Sequence, residues 1–306
     1  MNVEKNERTP PVAPLDAATV ILIRESPSAN PFEVLLMRRH ARQSFMAKAF
    51  VYPGGQLDNA DCDPELAAVA GNMTAEAAKE SLNETDISHA KALGLFFTAV
   101  RETFEESGIL LARLTSGRQL DFVDKETRQR FARYRAMILQ QEMTLKDLAE
   151  KENLVFRLND LIPYARWVTP VVEKKRFDTR FFLATMPPGQ KPVHDSREMT
   201  ETLWTEPGTA LFKQKKGEIL LMPPTLKTLE EMANQPSRAD VYTHASSTPI
   251  QPNMPQVSAE GDSIVIKLPH DPDYNIAEFK QPHRPNEMSR VVLRDGRFRA
   301  LKYEEQ

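Results

Sequence analysis

The stretch AVRETFEESGILL, Ala99 to Leu111, constrains this chain more than any other. Phe97, Val100 and Phe104 recur at helical spacing, which predicts an amphipathic helix anchored by one apolar side. Gly108 then gives a natural helix stop, and ILLA after it reads as strand-like. Glu102, Glu105 and Glu106 stand at i, i+3 and i+4, so all three carboxylates leave one side of the helix. Like charges at that spacing cost roughly a few tenths of a kcal/mol each unless a counter-charge intervenes. Arg101 and Glu105, at i and i+4, form a pair that fixes one carboxylate and leaves two to converge. Two readings stay open on this stretch alone: a solvated helix face, or a site where a divalent cation holds the acids together.

A second stretch lies upstream. FVYPGGQLDNAD, Phe50 to Asp61, is a short apolar strand, a Pro-Gly-Gly turn and two aspartates. Pro53 fixes one backbone angle, while Gly54 and Gly55 let a bare carbonyl approach a ligand closely. RETFEESGI matches the second half of the Nudix box, and GGQLDNAD resembles its first half. Gly55 takes the glycine position, and Asp61 falls where the pattern has a glutamate. Arg101, Glu102, Glu105, Glu106, Gly108 and Ile109 fill the rest. Thr103 sits in an aliphatic position, and 39 residues (62 to 100) separate Asp61 from Arg101 where the family has seven. This split box resembles the peroxisomal coenzyme A diphosphatases and their bacterial relatives. So do SFMAKAFVYPGG, WVTPVVEKKRFDTRFFLA, ETLWTEPGTAL and LMPPTLKTLEEMA, so the resemblance runs from about Ala17 to Asn234.

The resemblance implies an α/β Nudix fold, a mixed β-sheet sandwiched between α-helices, with helical insertions. It also implies a metal-dependent hydrolase of a nucleoside diphosphate linked to a second moiety. Carried over position by position, Glu102, Glu105, Glu106 and the carbonyl of Gly55 bind Mg²⁺ or Mn²⁺, which prefer oxygen ligands. Arg101 orients Glu105, and these four side chains form the catalytic set with a general base. In the family that base varies and often comes from a later loop. HDSREMTETLW supplies His194, Asp195, Glu198 and Glu201, of which Glu198 is chosen. Asp58 and Asp61 either join the acidic site or cap a turn.

Phosphate binding needs positive charge. EKKRFDTRFF and LLMRRHARQ are the basic stretches, and guanidinium groups grip phosphates bidentately. Arg39, Arg176 and Arg180 are taken as substrate-binding, and Lys174 as a basic strand edge that resists aggregation. Trp167, Phe177 and Phe181 are core side chains or base stackers. The substrate that the resemblance implies is coenzyme A or acyl-coenzyme A, cut to 3′,5′-ADP and (acyl-)4′-phosphopantetheine. ADP-ribose, NADH, dinucleoside polyphosphates and nucleotide sugars are alternatives. A non-catalytic ligand sensor or assembly module is the alternative of another class.

Composition bounds the partners. A net charge of −3 argues against a nucleic-acid binder working by bulk electrostatics. The lone Cys62 forms no intrachain disulfide, which points to a reducing compartment. MNVEKNERTPPVAP has no apolar signal core, no run is long enough to span a bilayer, and KYEEQ is no peroxisomal address. A cytoplasmic protein with a small-molecule ligand, no membrane and no nucleic acid is expected.

Punctuation and periodicity give the organisation. Residues 1–15 are expected to be a disordered lead, and 16–235 the catalytic domain. Within it, 62–93 is an insertion inside the box and 114–153 a helical insertion; either is padding, a homodimer surface or a substrate wall. PELAAVAG and TAEAAKESL are expected as short helices, and DKETRQRFARYRAMILQQ and TLKDLAEKEN as longer ones. Residues 236–260 read as a proline-rich extended connector, and VVLRDGRFRALKY as a hairpin about Asp-Gly.

Overall fold

Burial along the first two strands decides the architecture. β1 (Leu15–Glu25) turns Ala18, Val20 and Leu22 into one core and Ile21 and Ile23 into another. β2 (Phe32–Arg39) does the same with Leu35 and Met37 against Val34 and Leu36. Strands with apolar side chains on both faces must be covered on both. The computed structural model describes residues 12–26, 31–42, 47–261, 263–294 and 297–303, and it shows that double covering.

After β3 (Phe50–Val51) the chain turns at Pro53 into β4 (Gly54–Gln56). PELAAVAG is a 3-10 segment, Pro64–Val69, rather than a full helix. α1 (Ala75–Leu82) is opened by the Thr74 side chain, and α2 (His89–Ser107) by Ser88. α2 stops at Gly108, whose φ of 72° is the left-handed conformation that glycine adopts without strain. β5 (Ala112–Leu114) leads to α3 (Lys125–Leu139) and α4 (Leu145–Glu152), the latter opened by a capping box between Thr144 and Asp147. β6 (Leu154–Phe156) returns to pair with β5. β7 (Ile162–Val168), β8 (Phe177–Thr185) and β9 (Met199–Thr205) follow, then α5 (Pro207–Lys216) and α6 (Pro223–Ala233).

Residues 236–260 depart from the expected connector. They hold α7 (Arg238–Ser247), β10 (Pro252–Asn253) and β11 (Gln256–Glu260). Ser237 caps α7, and Val241 and Ala245 bury against the sheet, so packing stabilises a segment whose prolines lie outside the helix. β12 (Ser263–Lys267), β13 (Arg290–Arg294) and β14 (Arg297–Leu301) join β11 in a four-stranded antiparallel sheet. The expected hairpin is its β13–β14 pair, with the Asp-Gly turn outside the described residues. Most of the expected disordered lead and of the turn between β1 and β2 also lies outside them.

The central sheet has eight strands in the order β10-β7-β8-β1-β2-β3, with β4 on β1 and β9 on β2. It is mixed: β1–β8 and β10–β7 are parallel, and the other pairs antiparallel. Helices α1 to α4 fill one face, around Phe96, Phe97 and Phe104 of α2. Helices α5, α6 and α7 fill the other, and Leu268, Met288 and Val291 of the terminal sheet region enter that same core.

Candidate active site

The β3–β4 turn meets the polar side of α2 at close range. The Gly54 amide donates to Glu106 Oε2 at 2.9 Å, and Arg101 Nη2 donates to the Gln56 carbonyl at 2.9 Å. Gly55 lies so near α2 that a Cβ on it would stand 2.4 Å from Glu102 Cδ. A side chain at this position would have to displace that carboxylate.

Arg101 organises the acids. Its Nε and Nη2 donate to the two oxygens of Asp61 at 2.9 and 2.8 Å. Its Nη1 reaches Glu102 Oε1 at 2.8 Å and Glu105 Oε2 at 3.3 Å. Asp61 is only 3% exposed and also accepts from Thr98 Oγ1 and the Asp58 amide, while Asp58 caps the short turn between them. Asp61 is thus the anchor for Arg101, not a fourth acid on the ligand side.

Burial sets the electrostatics. It pushes the Glu102 carboxyl up to about 7, with the charges of Glu105 and Asp61 adding to the effect and Arg101 opposing it. Burial likewise raises Glu105 and lifts Glu106 well above the usual range, with Glu102 and Glu198 adding repulsion to Glu106. Burial works against the charge on Arg101, yet the Asp61 hydrogen bonds and the surrounding acids hold it firmly protonated.

Glu102 and Glu105 open, with Gly54 and Gly55, on a cavity of about 520 Å³ that also takes in Arg39, Lys175 and Glu198. Arg39 Nε is buried with no acceptor among the described residues. Glu198 is held from both sides: its carbonyl accepts from the His40 amide at 2.7 Å, and its amide donates to the Asp195 carboxylate at 3.0 Å.

The model of the NUDT19 Nudix domain matches residues 15–232 of this sequence. The chain belongs to the NUDT19 Nudix domain family. A protein of Xenopus laevis named acyl-coenzyme A diphosphatase NUDT19 is 25% identical over 90% of this chain and 81% of its own length. Its human namesake is 27% identical over 81% of this chain and 74% of its own length. A Nudix hydrolase from Alicyclobacillus acidocaldarius shares the fold with a TM-score of 0.61 at 28% identity, over 78% of this chain and 99% of that one.

Nudix hydrolases generally need divalent metal ions, and the donor set of this Nudix domain suits one. Glu102, Glu105, Glu106 and the Gly55 carbonyl are all oxygen donors. Their carboxyls are pushed toward the neutral form by burial, which a bound cation would reverse. Among the described residues no three acidic, histidine or cysteine side chains are drawn tightly enough together to enclose an ion. Arg101 Nη1 instead bridges Glu102 and Glu105, so loading a cation requires a shift of these flexible side chains.

Arg176 and Arg180 do not line the cavity, contrary to expectation. Phe177, Thr179 and Phe181 do, so strand alternation turns Arg176 and Arg180 to the opposite face. Arg180 is 4% exposed and bonded to Glu84 at 2.9 and 2.6 Å and to Asp16 at 2.6 Å. Arg176 donates to the carbonyls of Thr169 and Val12. Lys175 is the basic residue of that stretch that reaches the cavity. Sequence reasoning missed Arg135 on α3, whose Nε donates to the Glu105 carbonyl at 2.8 Å. Its Nη2 is buried with no acceptor among the described residues, and no spacing in the sequence marks it.

Proposed function

We propose that this protein is a divalent-cation-dependent diphosphatase of coenzyme A and acyl-coenzyme A, releasing 3′,5′-ADP and (acyl-)4′-phosphopantetheine. The observation that carries this is that Glu102, Glu105 and the Gly54–Gly55 turn line one side of a cavity that also holds Arg39 and Lys175, with Glu106 buried behind them on the Gly54 amide. The names borne by the relatives in Xenopus laevis and humans support the substrate.

The residues divide the work as follows. Arg39 and Lys175 meet the anionic diphosphate, Arg39 with a buried N–H that has no acceptor among the described residues. Glu102, Glu105, Glu106 and the Gly55 carbonyl hold the cation, for which we assign Mg²⁺ or Mn²⁺ on the all-oxygen donor set. When bound, that cation neutralises phosphate charge and makes water more acidic. Glu198 takes a proton as water attacks one phosphorus and the bridging P–O bond breaks. Arg101 holds Glu102 and Glu105 in place through its anchor on Asp61. Among the described residues no helix is long and apolar enough to cross a membrane. We assign the protein to the cytoplasm, where Cys62 stays a thiol.

The test is a hydrolysis panel with Mg²⁺ or Mn²⁺ on coenzyme A, acyl-coenzyme A, ADP-ribose, NADH, diadenosine polyphosphates and nucleotide sugars, with products resolved by mass. Release of 3′,5′-ADP from the first two is expected. Turnover of another compound alone would discard the coenzyme A assignment, and binding without any turnover would make the protein a sensor.

A further inference from the structure

The cavity has a second chemical character away from the acids. Register across the sheet gives its floor: Gln56 of β4 pairs with Ala17 of β1, Ala17 with Thr179 of β8, and Thr179 with Trp167 of β7. All four line the cavity. Strands lie about 4.8 Å apart, so Trp167 stands about 14 Å across the sheet from Gln56, the neighbour of the acid cluster. Beside Trp167 the lining includes the apolar Val168, Pro170 and Phe181 together with Thr169 and Thr179.

Part of that wall comes from beyond the family domain. Pro255, Val257 and Ile266 line the cavity, whereas the family match ends at residue 232. Val257 and Ile266 are direct partners across β11–β12, so both side chains leave the same face of the terminal sheet. That face is held in place by the core it shares with the central sheet, through Leu268, Met288 and Val291. Pro223 and Pro224, at the start of α6, continue the aliphatic surface.

We propose that the terminal sheet completes an alkyl-binding compartment for the acyl-bearing end of the substrate, and that Val257 and Ile266 set chain-length preference. This rests on the diphosphatase reading above for the identity of the substrate. The choice of an alkyl chain over a flat base follows from the surfaces on offer. Phe181 is engaged edge-on with Tyr52 at 87°, and Lys175 Nζ sits 5.1 Å over the Phe177 ring. Trp167 is 5% exposed and Tyr52 3% exposed, so neither ring offers an open face for stacking. The apolar lining beyond these rings is Val257, Ile266, Pro223, Pro224 and Pro255, which contact a methylene chain along its length.

The test is calorimetric titration of the full chain with acetyl-, octanoyl- and lauroyl-coenzyme A and with 3′,5′-ADP, in EDTA so that ligand is not turned over. In the wild type, affinity is expected to rise at least tenfold from acetyl to octanoyl. Ile266→Phe should bring that ratio toward one, and Val257→Ala should extend the gain to lauroyl. Thermal melts of both variants confirm that they are folded, and the opposite directions of change exclude a general loss of structure. A ratio near one in the wild type, or the same ratio in all three proteins, would overturn the proposal. Weakened 3′,5′-ADP binding in the variants with an unchanged ratio would assign the compartment to the base and overturn it too. Hydrolysis with Mg²⁺ is scored separately: a chain-length gain without release of 3′,5′-ADP would sink the reaction and leave the compartment standing.

Discussion

The carboxylate of Glu102 occupies the space that a side chain on Gly55 would need, with its Oε1 2.4 Å from where a Cβ would lie. The two residues are 47 positions apart, yet each fixes the other. Gly55→Ala would push aside the far end of a flexible side chain, which costs little in stability. The displaced carboxylate belongs to the candidate metal set, and a misplacement of about 1 Å near the chemistry can cost about 10²-fold. We therefore expect kcat to fall by about that factor with a nearly unchanged melting temperature. Equal activity of the two proteins would contradict the assignment.

Asp61 tests the anchor beneath the site. Asp61→Ala leaves the Arg101 guanidinium without the two hydrogen bonds it makes to one carboxylate. Removing one member of such a buried pair costs about 3–5 kcal/mol. Urea unfolding should show a loss of that size together with reduced turnover. A loss confined to turnover would mean that Asp61 acts on the ligand rather than on Arg101.

Arg39 and Arg180 separate substrate binding from structure. Arg39→Ala should lower kcat/KM by about 10-fold or more, the worth of one charge-assisted hydrogen bond of about 1.5–3 kcal/mol. Arg180→Ala breaks the contacts to Glu84 and Asp16, so the melting temperature should drop while KM of the folded fraction stays put. The reverse pattern would restore Arg180 to the substrate list.

His270 gives the fold a pH dependence. It is 2% exposed, and its Nε2 lies 2.9 Å from the Met288 carbonyl. Burial, reinforced by the charge of Lys227, pushes its pKa down from 6.5 to about 4. Between those values the unfolded chain binds a proton that the folded chain refuses, so stability falls as pH drops from 6.5 toward 4. The slope is at most about 1.4 kcal/mol per pH unit. Thermal melts from pH 7 to 5 should fall less steeply for His270→Gln, which keeps a donor for Met288 and does not titrate. Parallel curves for the two proteins would refute this.

What the sequence made legible was local. The α2 carboxylates, the helix stop at Gly108 and the short strand that turns at Pro53 all depend on neighbours within a few positions, and each stands where the local pattern places it. The ion pairs of Arg180 are not legible in the sequence because its partners Asp16 and Glu84 are 164 and 96 residues away, and only the folded sheet brings them together. Arg135 was invisible for the same reason. α7 was hidden by composition: its ten residues have weak periodicity and sit among prolines, and the burial of Val241 and Ala245 is a tertiary effect.

The most direct measurement is a comparison of wild type and Glu106→Gln with acetyl-coenzyme A and Mg²⁺, following 3′,5′-ADP by mass. Glutamine keeps an oxygen for the Gly54 amide and removes the charge, so the variant should melt near the wild type. Wild type is expected to release 3′,5′-ADP, and the variant to be slower by about 10²-fold or more, the scale of one lost electrostatic contact at a reacting centre. A folded variant that turns over at the wild-type rate would contradict the assignment of this acid cluster as the catalytic centre.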